Sequence, residues 1–150
     1  MPSDKLIFLD IDGVMSTSVS NFVFGKTCVA ALTSIVKATG ADIVISSAHR
    51  VSYSPKYFQN LLEQFPGFVG KVVGSTPWDP DSCIATRGKE VYQFINKYTE
   101  PIQEFVVLDD FPIKLQYNKH NSILINPNTG LTEADAQKAI KILNNPVSIP

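Results

Sequence analysis

The sequence predicts an α/β fold, a three-layer α/β/α sandwich built on a mostly parallel, five-stranded sheet. Three observations carry that expectation. Short apolar runs rich in β-branched and aromatic residues alternate with helical patterns along the chain. Several of these runs lack polar alternation, the mark of strands buried on both faces. The 150 residues are 44% hydrophobic and 18% charged, which suits a single domain over 1–150 with a substantial core.

The elements follow in order. KLIFL (5–9) reads as the first strand, and residues 27–39 place Val29, Leu32, Ile35 and Val36 on one helical stripe. DIVIS (42–46) is the second strand. Ser54-Pro55 supplies an N-cap and a first-turn proline for a helix whose inner residues are Tyr57, Phe58, Leu61, Leu62 and Phe65. KVVG (71–74) is the third strand, followed by a helix over 87–98 with Val91, Phe94, Ile95 and Tyr98 on its stripe. FVVL (105–108) and SILI (122–125) complete the sheet. Thr132 with Asp135 resembles a capping box, opening a last helix that buries Ala136, Ala139, Ile140 and Leu143. PNTG (127–130) and NNP (144–146) are turn signals, and no repeat or low-complexity tract interrupts the pattern.

Composition excludes several classes. No apolar run approaches the roughly 20 residues that span a bilayer, and MPSDKLIF lacks the features of a secretory signal, so a cytoplasmic location is expected. Cys28 and Cys83 have neither CxxC spacing nor histidine companions, which argues against zinc or a disulfide framework. A net charge of −1 provides no broad basic field for nucleic acid. Of thirteen basic residues only Arg50 and Arg87 are arginines, the side chain whose planar fork best matches phosphate oxygens.

In a parallel sheet of this kind ligands bind beyond the carboxyl ends of the strands. The first strand ends in Asp10-Ile11-Asp12-Gly13, and two carboxylates so close together need a reason. They bind a metal, or divide acid and base roles, or form a solvated turn. The second strand ends in Ser46-Ser47-Ala48-His49-Arg50 and the fourth in Asp109-Asp110, while Arg87-Gly88-Lys89 opens the intervening helix. If these strands are adjacent, their tips form a crevice suited to a divalent cation between aspartates and a phosphate between cation, serine and arginine. Taken alone, DxDG is a weak motif, and serines such as Ser46 and Ser47 are more often helix caps than phosphate ligands; the agreement of all the strand ends carries the phosphoryl-transfer reading.

The segments LDIDGV, IVISSAHR, TRGKEVYQFI, FVVLDD and NPNTGLTEADAQKAIKIL together resemble the haloacid dehalogenase (HAD) superfamily of aspartyl phosphohydrolases. Within it they are most similar to the small HAD domain of multifunctional Swiss army knife RNA-repair proteins and free-standing relatives, over about residues 5 to 143. One departure is visible: His49 stands where those relatives usually carry tryptophan.

The resemblance implies a Rossmann-like sheet and a Mg2+-dependent phosphatase. Asp10, the backbone carbonyl of Asp12 and Asp109 are expected to hold the metal, with Asp110 as a further ligand; Mg2+ prefers such hard oxygens. Asp10 is the expected nucleophile, forming an aspartyl-phosphate. Asp12 is the expected general acid and base. Gly13 permits a sharp turn that aims backbone N–H groups at the phosphate. Ser46 hydrogen-bonds a non-transferring oxygen, with Ser47 beside it. Arg87 occupies the place of the phosphate-stabilising lysine in related enzymes, with Lys89 as the alternative, and Arg50 is expected to reach substrate beyond the phosphate.

Rival classes fit less well. A receiver domain would carry its acceptor aspartate at the third strand, which here ends KVVGSTP. A sugar-nucleotide transferase DxD does not normally sit at a first strand beside a serine and a basic pair, and an idle binding module has no need of all these polar groups together. Neither interval that houses a HAD cap, 15–40 or 51–86, has room for a folded lid, so the fold is expected to be capless or minimally capped. By family analogy an open cleft suits a phosphate on a macromolecule, or a site closed by another subunit; phosphoprotein, phosphotyrosine included, or a small aryl phosphate is favoured, with nucleic-acid ends the alternative. Tyr53, Tyr57 and Phe58 read as core or rim. Trp78, in STPWDPDS, reads as a packed loop residue that could also touch substrate.

Overall fold

The computed structural model describes residues 3–17 and 23–145. Residues 18–22, within the first interval, and Pro146 of the expected final turn lie outside them. The strands are β1 (Lys5–Leu9), β2 (Asp42–Ile45), β3 (Val72–Ser75), β4 (Glu104–Asp109) and β5 (Ser122–Leu124). The helices are α1 (Lys26–Thr39), α2 (Pro55–Glu63), α3 (Arg87–Lys97) and α4 (Glu133–Asn144). All strand pairs are parallel, in the order β3-β2-β1-β4-β5. This is the Rossmann-like sandwich expected from the sequence.

Strand alternation divides the core into two layers. Ile7, Leu9, Ile43, Ile45, Val106 and Leu108 face the layer formed with α1, α2 and α4. Leu6, Phe8, Val44, Phe105 and Val107 face Val91 of α3 and the Ile113–Leu115 segment. On that second face Phe8 meets Phe94 and Phe105 edge-on, with ring centroids 5.8 and 5.9 Å away. The central strands are buried on both sides, which is why KLIFL and FVVL show no polar alternation.

Local signals place the helix starts. Ser54 Oγ accepts a hydrogen bond from Tyr57 N–H, and Thr132 and Asp135 form the reciprocal capping box at α4. At Gly88, in the first turn of α3, an added Cβ would lie 2.0 Å from the Lys114 carbonyl oxygen. The glycine therefore lets the chain following β4 pass directly over α3. Between β2 and α3 the chain forms only short 3-10 turns, α2 and β3, with no inserted lid domain. No helix among the described residues is long and apolar enough to cross a membrane.

Candidate active site

The register of the sheet aligns the strand tips. Leu9 of β1 pairs with Ile45 of β2 on one side and with Leu108 of β4 on the other. One residue further on, Asp10, Ser46 and Asp109 stand at a common level. The ladder continues to them, since Asp10 N–H donates to Leu108 O and Ser46 N–H to Leu9 O, each at 3.0 Å. α1 and α2 lie on one face of the sheet and α3 on the other, so the chain reverses between β1 and β4 and leaves a crevice there.

Three carboxylates occupy that crevice. One oxygen from each of Asp10, Asp109 and Asp110 lies within 4.8 Å of the other two. Burial, followed by repulsion from Asp109, pushes the Asp10 carboxyl up to about 8, against the opposing pull of Arg87. Burial likewise raises Asp109, although Arg87 and the Phe111 N–H counteract it. Arg87 Nη1 sits 2.6 Å from Asp109 Oδ2 and 3.6 Å from Asp10 Oδ2. Burial works against its charge, but Asp10 and Asp109, with Asp110 adding to them, outweigh it and hold its pKa above the ordinary value. Lys89, by contrast, is exposed and lines a separate depression with Lys114, Tyr92 and Tyr117.

Two further features shape the crevice. Gly13 has φ +81°, and a Cβ there would come within 2.4 Å of Asp110 Oδ2, so only glycine lets the DxDG turn close on the second aspartate. Ser46 Oγ is buried and has no hydrogen-bond partner among the described residues. A hydroxyl in that state is open to a partner from outside the chain, a ligand oxygen or a water. The donor set is all oxygen, the carboxylates repel one another without a cation, and the hydroxyl lacks an acceptor. These residues therefore fit a hard divalent cation with an anion beside it.

Asp12 follows a different course from Asp10. Its Oδ2 is hydrogen-bonded to His49 Nε2 at 2.7 Å, while its Oδ1 is buried without a partner. Ser47 Oγ accepts from His49 N–H, the cap of the Ala48–Val51 turn. Arg50, expected to reach substrate beyond the phosphate, has its donors engaged within the protein. Its guanidinium is almost wholly buried, pairs with Glu90 Oε1 at 2.9 Å, and donates to the carbonyls of Ser47 and Thr76 at 2.8 and 3.1 Å. With five carbonyl or carboxylate partners drawn from three segments, it ties the chain after β2 to the loop after β3 and to α3.

Residues 6–136 match the family described as the HAD domain in Swiss Army Knife RNA repair proteins. The chain belongs to this family. No curated protein and no solved structure matches it significantly. Membership in this HAD family points to phosphatase-type chemistry, with its motif segments at the strand tips just described.

Sequence reading missed the partners that orient this HAD site. Glu90 sits beside the apolar stripe of α3 and was not singled out, although a buried acid there implies a cation opposite. The His49–Asp12 hydrogen bond spans 37 positions, and nothing local announces it.

Proposed function

We propose that this HAD domain is a Mg2+-dependent phosphatase that hydrolyses phosphate monoesters through an aspartyl-phosphate on Asp10. Its expected substrates are phosphorylated macromolecules or aryl phosphates. The observation that carries this reading is the convergence of Asp10, Asp109 and Asp110 with Arg87 beside the unpartnered Ser46 hydroxyl.

Asp10, Asp109, Asp110 and the Asp12 carbonyl are the groups that would hold Mg2+. When bound, the ion supplies positive charge that favours ionised Asp10 and offsets the negative charge of the phosphoryl oxygens. Ser46 Oγ donates to one non-transferring oxygen, and Arg87 faces the same group. An Asp10 carboxylate oxygen bonds to phosphorus as the bond to the leaving oxygen breaks. Asp12, held by His49, gives its proton to that leaving oxygen. A water then attacks phosphorus, passing a proton to Asp12; phosphate departs, the Asp10 carboxylate is restored and Asp12 is again protonated.

The test is phosphate release from 4-nitrophenyl phosphate. Turnover should require Mg2+, stop with a chelator, and vanish in Asp10→Asn. An Asp10→Asn protein with intact turnover removes the assigned nucleophile, and a wild-type protein inert to every phosphate ester would be an idle HAD-like binding module.

A second reading has its own support. The family description names RNA repair, and Lys89 and Lys114 with Tyr92 and Tyr117 line a depression of about 560 Å3 on the far side of α3's first turn. Lysines interleaved with aromatic rings suit a single strand. Hydrolysis of a 3′-phosphorylated oligonucleotide that falls steeply with salt supports that substrate. A cytoplasmic setting is consistent with either reading.

A further inference from the structure

We propose that the cleft flanked by Val51, Trp78 and Ile84 is the leaving-group subsite, and that it selects an uncharged aromatic ring joined through oxygen to the phosphate. This rests on the phosphatase reading above and adds the identity of the group that the phosphate leaves behind.

The cleft has a volume of about 420 Å3, and Arg87 forms part of its wall. The Arg87 guanidinium lies 2.6 Å from Asp109, so one residue borders both the cleft and the phosphate site. A substituent on a phosphate held at Arg87 and Ser46 has this concavity beside it.

Three large apolar side chains in the walls come from three separate segments. Val51 ends the turn after β2, Trp78 lies in the loop after β3, and Ile84 opens the turn before α3. They are 48%, 48% and 39% exposed. Isolated exposed apolar residues need no explanation, but three large ones gathered around one concavity beside a catalytic cluster do. An aromatic ring would cover them and face the indole, whereas a serine-sized leaving group would leave the walls wet.

The backbone that carries Trp78 is held in place before any ligand arrives. Arg50 donates to the carbonyls of Thr76 and Pro77, immediately before Trp78. Beyond it, Asp79 N–H donates to Ser82 Oγ, which in turn donates to Glu90 Oε2, the carboxylate that pairs with Arg50. The loop is thus tied on both sides of Trp78 to one buried ion pair. Such preorganisation lowers the entropic cost of binding a flat ring.

Charge decides between an aromatic ring and a polyanionic strand. Among the described residues Arg50 and Arg87 are the only cations lining the cleft, and both already face carboxylates. Asp79 adds a negative charge to the lining. A chain of phosphates would meet that carboxylate and find no spare cation, while a neutral ring meets no such penalty.

Trp78 is the chain's sole tryptophan, so its emission reports directly on the cleft. With Mg2+ present, phenylphosphonate should change that emission at concentrations about tenfold or more below those at which methylphosphonate does. In the kinetic arm, Trp78→Ala should lower kcat/KM about tenfold on 4-nitrophenyl phosphate and a phosphotyrosine peptide. Acetyl phosphate and a phosphoserine peptide should change less than about twofold, and Trp78→Phe should restore most of the aryl activity. A phosphotyrosine peptide turned over faster than 4-nitrophenyl phosphate identifies a protein source for the ring, and the reverse a small aryl ester; both support the subsite.

Equal losses on acetyl and aryl phosphates in a folded Trp78→Ala protein overturn the subsite. So does a wild-type preference for the 3′-phosphorylated oligonucleotide. If neither the esters nor acetyl phosphate is cleaved, the phosphatase reading itself fails. The phosphonate titration then decides the cleft alone, an emission change with phenylphosphonate supporting the ring site and its absence refuting it.

Discussion

Arg50 Nη2 lies 2.9 Å from Glu90 Oε1, and the two side chains are 4% and 7% exposed. One of only two arginines in the chain is therefore a brace beneath the active site. Its remaining donors go to main-chain carbonyls on either side of the cleft. Glu90 is also the link to α3, whose first residue is Arg87.

That brace can be broken from the acidic side. Glu90→Ala leaves the Arg50 guanidinium buried without its carboxylate, a change that typically costs about 3–5 kcal/mol. Urea unfolding should show a loss in that range. A loss below about 1 kcal/mol would mean that the carbonyls alone satisfy the arginine.

Gly13 answers to both backbone and neighbour. Gly13→Ala places a methyl group against Asp110 at a φ of +81°, where a side chain is strained. A stability loss of roughly 1–3 kcal/mol is expected. Mg2+ affinity, measured by calorimetry, should fall with it because Asp110 must move. Unchanged affinity would separate Asp110 from the cation site.

The metal-free protein should grow less stable with rising pH. The folded carboxyl of Asp10 is raised from 3.8 to about 8, so the fold binds its proton more tightly than the unfolded chain does. That stabilisation is complete below about pH 4 and is lost as pH climbs through 8. Thermal melts in chelator should show Tm falling across this window, with a shallower fall in Asp10→Asn. At pH 7 to 7.5, Mg2+ binding should release a proton, visible as a buffer-dependent binding enthalpy. Identical Tm profiles in the two proteins would show that Asp10 does not hold the proton.

His49 should matter most when the leaving oxygen needs help. It is hydrogen-bonded to Asp12 Oδ2 at 2.7 Å, so its removal frees the proposed proton donor to swing away. His49→Phe should lower kcat about tenfold on an alkyl phosphate and less than about threefold on 4-nitrophenyl phosphate, a better leaving group. His49→Gln, which keeps a hydrogen-bonding group, should recover part of the loss. Equal effects on both esters would reduce the histidine to packing.

What the sequence determined by itself was local in origin. The unbroken apolar runs KLIFL and FVVL announced central strands, because burial on both faces leaves no position for polar alternation. Ser54-Pro55 and Thr132 with Asp135 marked two helix starts, since caps act within a single turn. Asp10, Ser46 and Asp109 were legible as neighbours once the strands were taken as parallel, because a register then carries strand ends to one level. Tertiary structure alone decided the partners of long side chains. The sequence leaves Lys89 as the alternative to Arg87 at the phosphate and places Arg50 beyond it; in the fold Arg50 turns down onto Glu90 and Lys89 faces another surface. The direction of a flexible cationic side chain depends on which carboxylates and carbonyls surround it, and those arrive from segments tens of residues away. Trp78 followed the same logic: its loop became one wall of a cleft only when the Arg50–Glu90 pair and the turns carrying Val51 and Ile84 closed around it.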